Sequence, residues 1–175
     1  MMDVQELLVR ETLRAVLAAL ARGEDRRDAA LISSAFWPDA TVDFGVFRGC
    51  FAEYLAWVVP GSDAITNTQH VLGQSHIEHD GESARAETQV ISYHRVDHGS
   101  GNERDTCMGG RYLDRFEKRE GEWRIVARTM LYDWSQDWGR AADWAQGLMG
   151  MPFAAPHYSG RAHGDRSEAF FRGLA

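Results

Sequence analysis

Apolar residues recur every three or four positions from Val4 through Leu7, Leu8, Leu13, Val16 and Leu17 to Leu20. That spacing lays one hydrophobic stripe along one face of an α-helix. Asp3, followed three residues later by Glu6, is a capping-box arrangement, so a first helix is predicted to start at about Val4 and to end near Gly23. A short second helix is predicted over Ala29 to Phe36, capped by Asp28 and ended by Pro38, which places Asp25 at the joint between two helices. Thr41 to Phe44 reads as a strand. Cys50 to Val59 reads as a third helix, stopped by Pro60-Gly61. Two strands, Thr68 to His79 and Ser83 to His98, flank the turn Asp80-Gly81, and a polar, glycine-bearing loop fills His98 to Thr106. Gly109 to Trp134 reads as a long hairpin turning at Arg119-Glu120-Gly121. Trp138 to Met149 is expected to be helical, ahead of a tail rich in Gly, Ala, His and Arg.

Within the last hairpin Trp123, Ile125 and Ala127 share one face, while Met130 and Tyr132 have the opposite parity. A slip of one residue near Arg128 is what a β-bulge produces, and a bulge bends the strand. Helices first, then a strand, a helix and four long antiparallel strands make an α+β layout with helices covering the hollow side of a bent sheet. Such a cone buries its narrow end and leaves a cavity at the wide one. The 175 residues make room for one such core. The expected division is a domain over residues 1–134 and an extension over 135–175 that packs on the same domain or on a neighbouring subunit.

The formal charge of −7 and the lack of a basic run speak against nucleic acid as a partner. No apolar run approaches the ~18 residues of a membrane span, and Met1-Met2-Asp3 carries no leader pattern, so a cytoplasmic protein is expected. Cys50 and Cys107 are expected to be reduced, packed thiols. Seven histidines invite a metal, but their spacings match no ligand set, and no phosphate loop, nucleotide fingerprint or nucleophile elbow occurs. Neither metal nor cofactor is expected. Two residues stand out for chemistry: Asp25 at the helix joint and His70 in the strand Thr68-Gln69-His70-Val71-Leu72. A carboxylate holding one nitrogen of a buried imidazole fixes its tautomer and raises its basicity, which builds a general base.

The chain also resembles a known family, the SnoaL-like branch of the NTF2-like superfamily, which includes scytalone dehydratase, bile-acid 7α-dehydratase and hexachlorocyclohexane dehydrochlorinase. Four stretches carry the resemblance: Ala21-Arg22-Gly23-Glu24-Asp25-Arg26-Arg27-Asp28, Phe36-Trp37-Pro38-Asp39-Ala40, Thr68-Gln69-His70, and Gly109-Gly110-Arg111-Tyr112 through Gly121-Glu122-Trp123-Arg124-Ile125. The resemblance implies a cone-shaped sheet with a deep pocket. It also implies a catalytic dyad of Asp25 and His70, with Arg128 near the leaving group. Where the related lyases place a Lys or Tyr five residues before the dyad acid, this chain has Leu20. Trp57, Val90, Tyr112, Met130 and Tyr132 are the expected ligand-lining residues, while Tyr54 and Tyr93 fit core or pocket equally. The expected function is a cofactor-independent lyase. It would eliminate water or another small group, formaldehyde included, from a hydrophobic aromatic or polycyclic small molecule. An isomerase or polyketide cyclase, and a ligand-binding protein or dioxygenase small subunit, are the alternatives. A homo-oligomer is expected, a trimer before a dimer.

Overall fold

In the computed structural model, residues 3–143, 146–153, 157 and 165–173 are described. Helix α1 (Val4–Arg26) begins with the Asp3 carboxylate accepting from the Glu6 backbone N–H at 2.8 Å, while the Glu6 side chain pairs with Arg10 rather than closing the box. It continues a full turn beyond the expected end near Gly23, because Arg27 rather than the glycine takes the left-handed conformation that stops it. Asp28 caps α2 (Ala29–Ala35). Strand β1 (Phe36–Asp43) starts earlier than expected and contains Pro38. The proline is tolerated because the pairing with the neighbouring strand is irregular between Phe36 and Thr41, where no ladder N–H is required of it. β2 (Arg48–Cys50) leads into α3 (Phe51–Val58).

The long strands β3 (Ile65–Asp80), β4 (Ser83–Asp97), β5 (Glu103–Arg119) and β6 (Glu122–Arg140) complete a six-stranded, unclosed sheet of order β2-β1-β6-β5-β4-β3. Its pairings are antiparallel except between β1 and β6. Glu120 (φ 53°) and Gly121 (φ 88°) both take positive φ at the β5–β6 turn, as the mirror-image hairpin turn requires. The expected loop shrinks to residues 98–102, because Glu103 to Thr106 find ladder partners on β4, and Arg104 to Thr106 on β6 as well. Trp138 to Arg140 are the end of β6 rather than helix, since Gly139 and Arg140 pair with Asp105 and Arg104. Beyond them Leu148 bridges to Met151, with residues 144 and 145 outside the described set. Much of the tail, 154–156 and 158–164, also lies outside it, but a short helix α4 (Arg166–Phe171) is described, tied to α1 by Arg26–Asp165 and Arg22–Ser167 contacts.

The phase slip in β6 falls at Val126 rather than Arg128, since Phe116 pairs with Ile125 and Arg115 with Ala127. Two further slips on β6, at Asp133 and Trp138, add to the curvature. Gly110 permits the slip at Asp133: a Cβ there would stand 2.0 Å from the Leu131 carbonyl oxygen. The helices lie in the hollow thus formed. Leu13, Leu17 and Leu20 of α1 and Ile32 of α2 pack on Ile77, Phe116 and Ile125 at the narrow end. α3 and the loop before it close one side with stacked rings: Phe47 lies on Trp57 (centroids 5.0 Å) and Phe44 on Tyr54 (5.5 Å). Cys107 is buried and Cys50 exposed, both free thiols.

Candidate active site

β3 is an edge strand, so alternate N–H groups along it point away from β4 and need another acceptor. At His70 that acceptor is Asp25, in the last turn of α1. Its two carboxylate oxygens lie 3.0 and 3.1 Å from the His70 backbone nitrogen, and Oδ1 lies 2.7 Å from the ring Nδ1. One carboxylate thus fixes both the strand and the ring, with each side chain 12% exposed. The αL residue that ends α1 reinforces the arrangement: the Arg27 guanidinium donates to the carbonyls of Pro60, Ser62 and Ile65, clamping the helix end to the segment that leads into β3. An ionised Asp25 holds the proton on Nδ1 and leaves the Nε2 lone pair on the cavity side. Burial is the largest influence on His70 and disfavours its charged form. The Asp25 hydrogen bond and the charges of Glu24 and Asp25 together outweigh it, so the pKa is raised above the ordinary 6.5.

Behind the dyad lies a second ionic group that sequence reasoning did not single out. Glu24, one residue before Asp25, is 6% exposed and faces into the cone. Its Oε1 accepts a short hydrogen bond from the Tyr54 hydroxyl and lies 3.8 Å from Arg128 Nη1, while Oε2 lies 4.0 Å from His70 Nε2. Arg128 donates from Nε and Nη2 to Asp114 at 2.8 and 3.0 Å and lies 4.0 Å from the Tyr112 ring centre. Burial opposes its charge, but Asp114 and Glu24 more than compensate, and its pKa is raised. Burial, followed by the Glu24 charge, pushes Tyr54 and Tyr112 upward, so both stay protonated as hydrogen-bond donors. The adjacency of Glu24 to Asp25 was the available signal: neighbours on a helix stand about 100° apart, so both can face one hollow.

A cavity of about 200 Å³ opens beside this group. Of the residues expected at the ligand, Trp57, Tyr112, Met130 and Tyr132 line it, with the Tyr132 hydroxyl donating to the Phe44 carbonyl at 3.0 Å. Val90 does not: it stands opposite Leu72 and Gly110, 2% exposed in the core. Arg128 does not line the cavity either, because its pairing with Asp114 turns it into the wall. Tyr54 lines the cavity, whereas Tyr93 bonds Asp105 elsewhere. The lining polar groups missed by the sequence reading include Glu24, Thr68, Ser92 and His94. The inward parity of β3 and β4 carries the last three and was the signal for them. His94 stands perpendicular to His70 with ring centres 6.1 Å apart, and its Nδ1, like the Thr68 hydroxyl, is buried without a partner. Burial, aided by His70, lowers the His94 pKa to about 4, so this ring is neutral at pH 7. The polar groups that the cavity lacks at Leu20, which is fully buried core, are therefore supplied by Glu24, Tyr54 and β4. Among the described residues, no group of three His, Cys, Asp or Glu side chains is arranged to hold a metal ion, and no helix is long and apolar enough to cross a membrane.

The sequence matches the family model of the SnoaL-like domain over residues 5–129. No protein of curated function matches it at a significant level. Among solved structures it is similar to the hexachlorocyclohexane dehydrochlorinase LinA-type3 from Novosphingobium barchaimii (16% identity, TM-score 0.69, covering 88% of this chain and 99% of that one). It is also similar to a putative scytalone dehydratase from Novosphingobium aromaticivorans (17%, 0.66, 78% and 91%). A third is a putative aromatic ring hydroxylase from the same organism (19%, 0.63, 73% and 92%). At these identities the likeness is one of fold.

Proposed function

This chain belongs to the SnoaL-like domain family, within the NTF2-like superfamily, and from that premise we propose that it is a cofactor-independent lyase acting on a hydrophobic aromatic or polycyclic small molecule. One observation carries the reading: His70 Nδ1 is held at 2.7 Å by Asp25 while the ring lines an otherwise largely apolar cavity. His70 Nε2 takes a proton from a carbon next to the leaving group. Asp25 orients the ring and stabilises the imidazolium that forms. Arg128 acts one step back, holding Glu24 and the face of Tyr112 in place rather than touching the substrate. Trp57, Met130 and Tyr132 supply apolar wall, and Tyr112 supplies wall and a donor hydroxyl. A dehydrochlorinase and a putative scytalone dehydratase among the similar folds are in keeping with this reading.

A second reading is favoured by His94. A neutral imidazole beside His70, on the adjacent strand, suits return of the proton to another carbon, which is isomerisation or cyclisation. A ligand-binding protein has no use for a buried acid–base pair, and His70→Ala separates that case. The variant should keep binding ligands from a panel of phenolic, steroidal and lignin-derived compounds and lose all turnover. Unchanged turnover in the variant, or binding without turnover in the unaltered protein, would defeat the proposal. The outer face of the sheet fits a homo-oligomer, since Val71, Ile91 and Trp134 form an exposed apolar row across it, with Gly109 between the last two; the family resemblance favours a trimer over a dimer. Sedimentation equilibrium would show a monomer if that part is wrong.

A further inference from the structure

The elimination proposed above uses Asp25 and His70 and leaves Glu24 without a task. A carboxylate 6% exposed carries a large desolvation cost, and a core position would ordinarily avoid it. Its Oε1 is engaged by Tyr54 and Arg128, but Oε2 is directed to the cavity side, 4.0 Å from His70 Nε2. That separation is too long for a direct hydrogen bond and suits one oxygen atom placed about 2.8 Å from each. The surrounding charge decides what oxygen this is. Glu24, Asp25 and Asp114 are the acids here, and the single guanidinium among them, Arg128, bonds Asp114 through Nε and Nη2 and stands 3.8 Å from Glu24 Oε1 through Nη1. His94 is uncharged at neutral pH. Arg27 lines the cavity too, but its guanidinium is turned to the carbonyls of Pro60, Ser62 and Ile65. An anion arriving between Glu24 and His70 meets a carboxylate oxygen and an imidazole lone pair, whereas a neutral hydroxyl can give its proton to Oε2.

The geometry points to Glu24 as a specificity-determining residue that selects a neutral, hydroxyl-bearing substrate and rejects carboxylates and halides at the His70 end of the cavity. This rests on the lyase reading for its consequence: the departing group is the hydroxyl that Glu24 holds. The C–H bond breaks as His70 Nε2 takes the proton, its electron pair forms the C=C bond, and the C–O bond breaks. The departing oxygen then receives the Nε2 proton and leaves as water. His70 ends neutral, as it began, and no further reactant is consumed.

The test is calorimetric titration with 2-naphthol and 2-naphthoate, one ring system bearing either a neutral hydroxyl or a carboxylate. The unaltered protein should bind 2-naphthol at least tenfold more tightly. Glu24→Gln should shrink that ratio by tenfold or more, and Tyr54→Phe, which keeps the carboxylate, should preserve it. Equal or tighter binding of 2-naphthoate by the unaltered protein, binding of neither compound, or an unchanged ratio in Glu24→Gln overturns the proposal. The ratio in the unaltered protein decides the matter even if Glu24→Gln does not fold. In the compound panel, loss of formaldehyde without loss of water sinks this inference while leaving the lyase reading standing. A product of unchanged mass sinks the lyase reading with the binding preference intact.

Discussion

Replacing Asp25 by Asn removes one negative charge and one strong acceptor from beside a buried imidazole and leaves the burial unchanged. Burial is the largest influence on His70 and disfavours its protonation, and two of the three opposing contributions come from Asp25. With these gone, only Glu24 remains, 4.0 Å from Nε2 with its other oxygen on Tyr54. The His70 pKa should therefore fall from above 6.5 to below it. The bond that is lost, 2.7 Å from Nδ1 to Oδ1, is a charge-assisted one worth about 1.5–3 kcal/mol. An Asn side chain can also present its amide to Nδ1 and favour the wrong tautomer, so turnover should drop by about 10²–10⁴. The two effects move different readouts. The acidic limb of kcat/KM shifts to lower pH while the plateau sinks. Stability changes as well: a raised histidine pKa contributes stability that is complete below 6.5 and is lost as pH rises through the folded value. That part of the pH–stability profile should flatten in Asp25→Asn. An NMR titration of the histidine rings needs no substrate, and His70 is assigned by its disappearance in His70→Ala. A His70 pKa that stays at or above 6.5 in Asp25→Asn would refute the reasoning.

Other outcomes follow from neighbouring features. Asp114→Ala leaves the Arg128 guanidinium buried without its main partner and should cost about 3–5 kcal/mol in urea denaturation; a loss below 1 kcal/mol would mean that the charge finds water. His94, held at a pKa of about 4 against 6.5 unfolded, lets the unfolded chain bind its proton first. Stability should be full above pH 6.5 and fall by on the order of 3 kcal/mol as the pH drops to about 4, a slope that His94→Gln removes. Gly110→Ala forces a methyl group against the Leu131 carbonyl oxygen and should destabilise by about 1–3 kcal/mol, read as a lowered Tm.

Much of the cone was legible because its signals are local. The stripe from Val4 to Leu20, the Asp28 cap and the Glu120-Gly121 turn each act within a few residues, and the two long hairpins follow from them. What the sequence hid depends on partners distant in the chain. Pro38 looks like a helix stop, and only an irregular pairing with β6 lets it sit in a strand. Trp138 to Arg140 has no strand pattern of its own and becomes one because Arg104 and Asp105 offer hydrogen bonds. In the site, Asp25 and His70 were singled out by residue type and position, and their pairing was implied by the family resemblance. The hydrogen-bond logic of the pair was hidden, since nothing in Thr68-Gln69-His70 reveals that the His70 N–H lies on an open sheet edge. Arg128 and Val90 share inward parity with true lining residues, but Arg128 is turned to Asp114 and Val90 is packed in the core. Glu24 read as one more charge in a charged run because burial is set by the whole hollow.

The central claim is a dyad that removes a carbon-bound proton and expels a small group. Mass spectrometry of the compound panel, incubated with the unaltered protein, Asp25→Asn and His70→Ala, tests it most directly. The expected result is a product lighter by one small molecule, water first, formed by the unaltered protein, at most residually by Asp25→Asn and not by His70→Ala. The same product in all three samples, or ligands bound and returned with their mass unchanged, would contradict it.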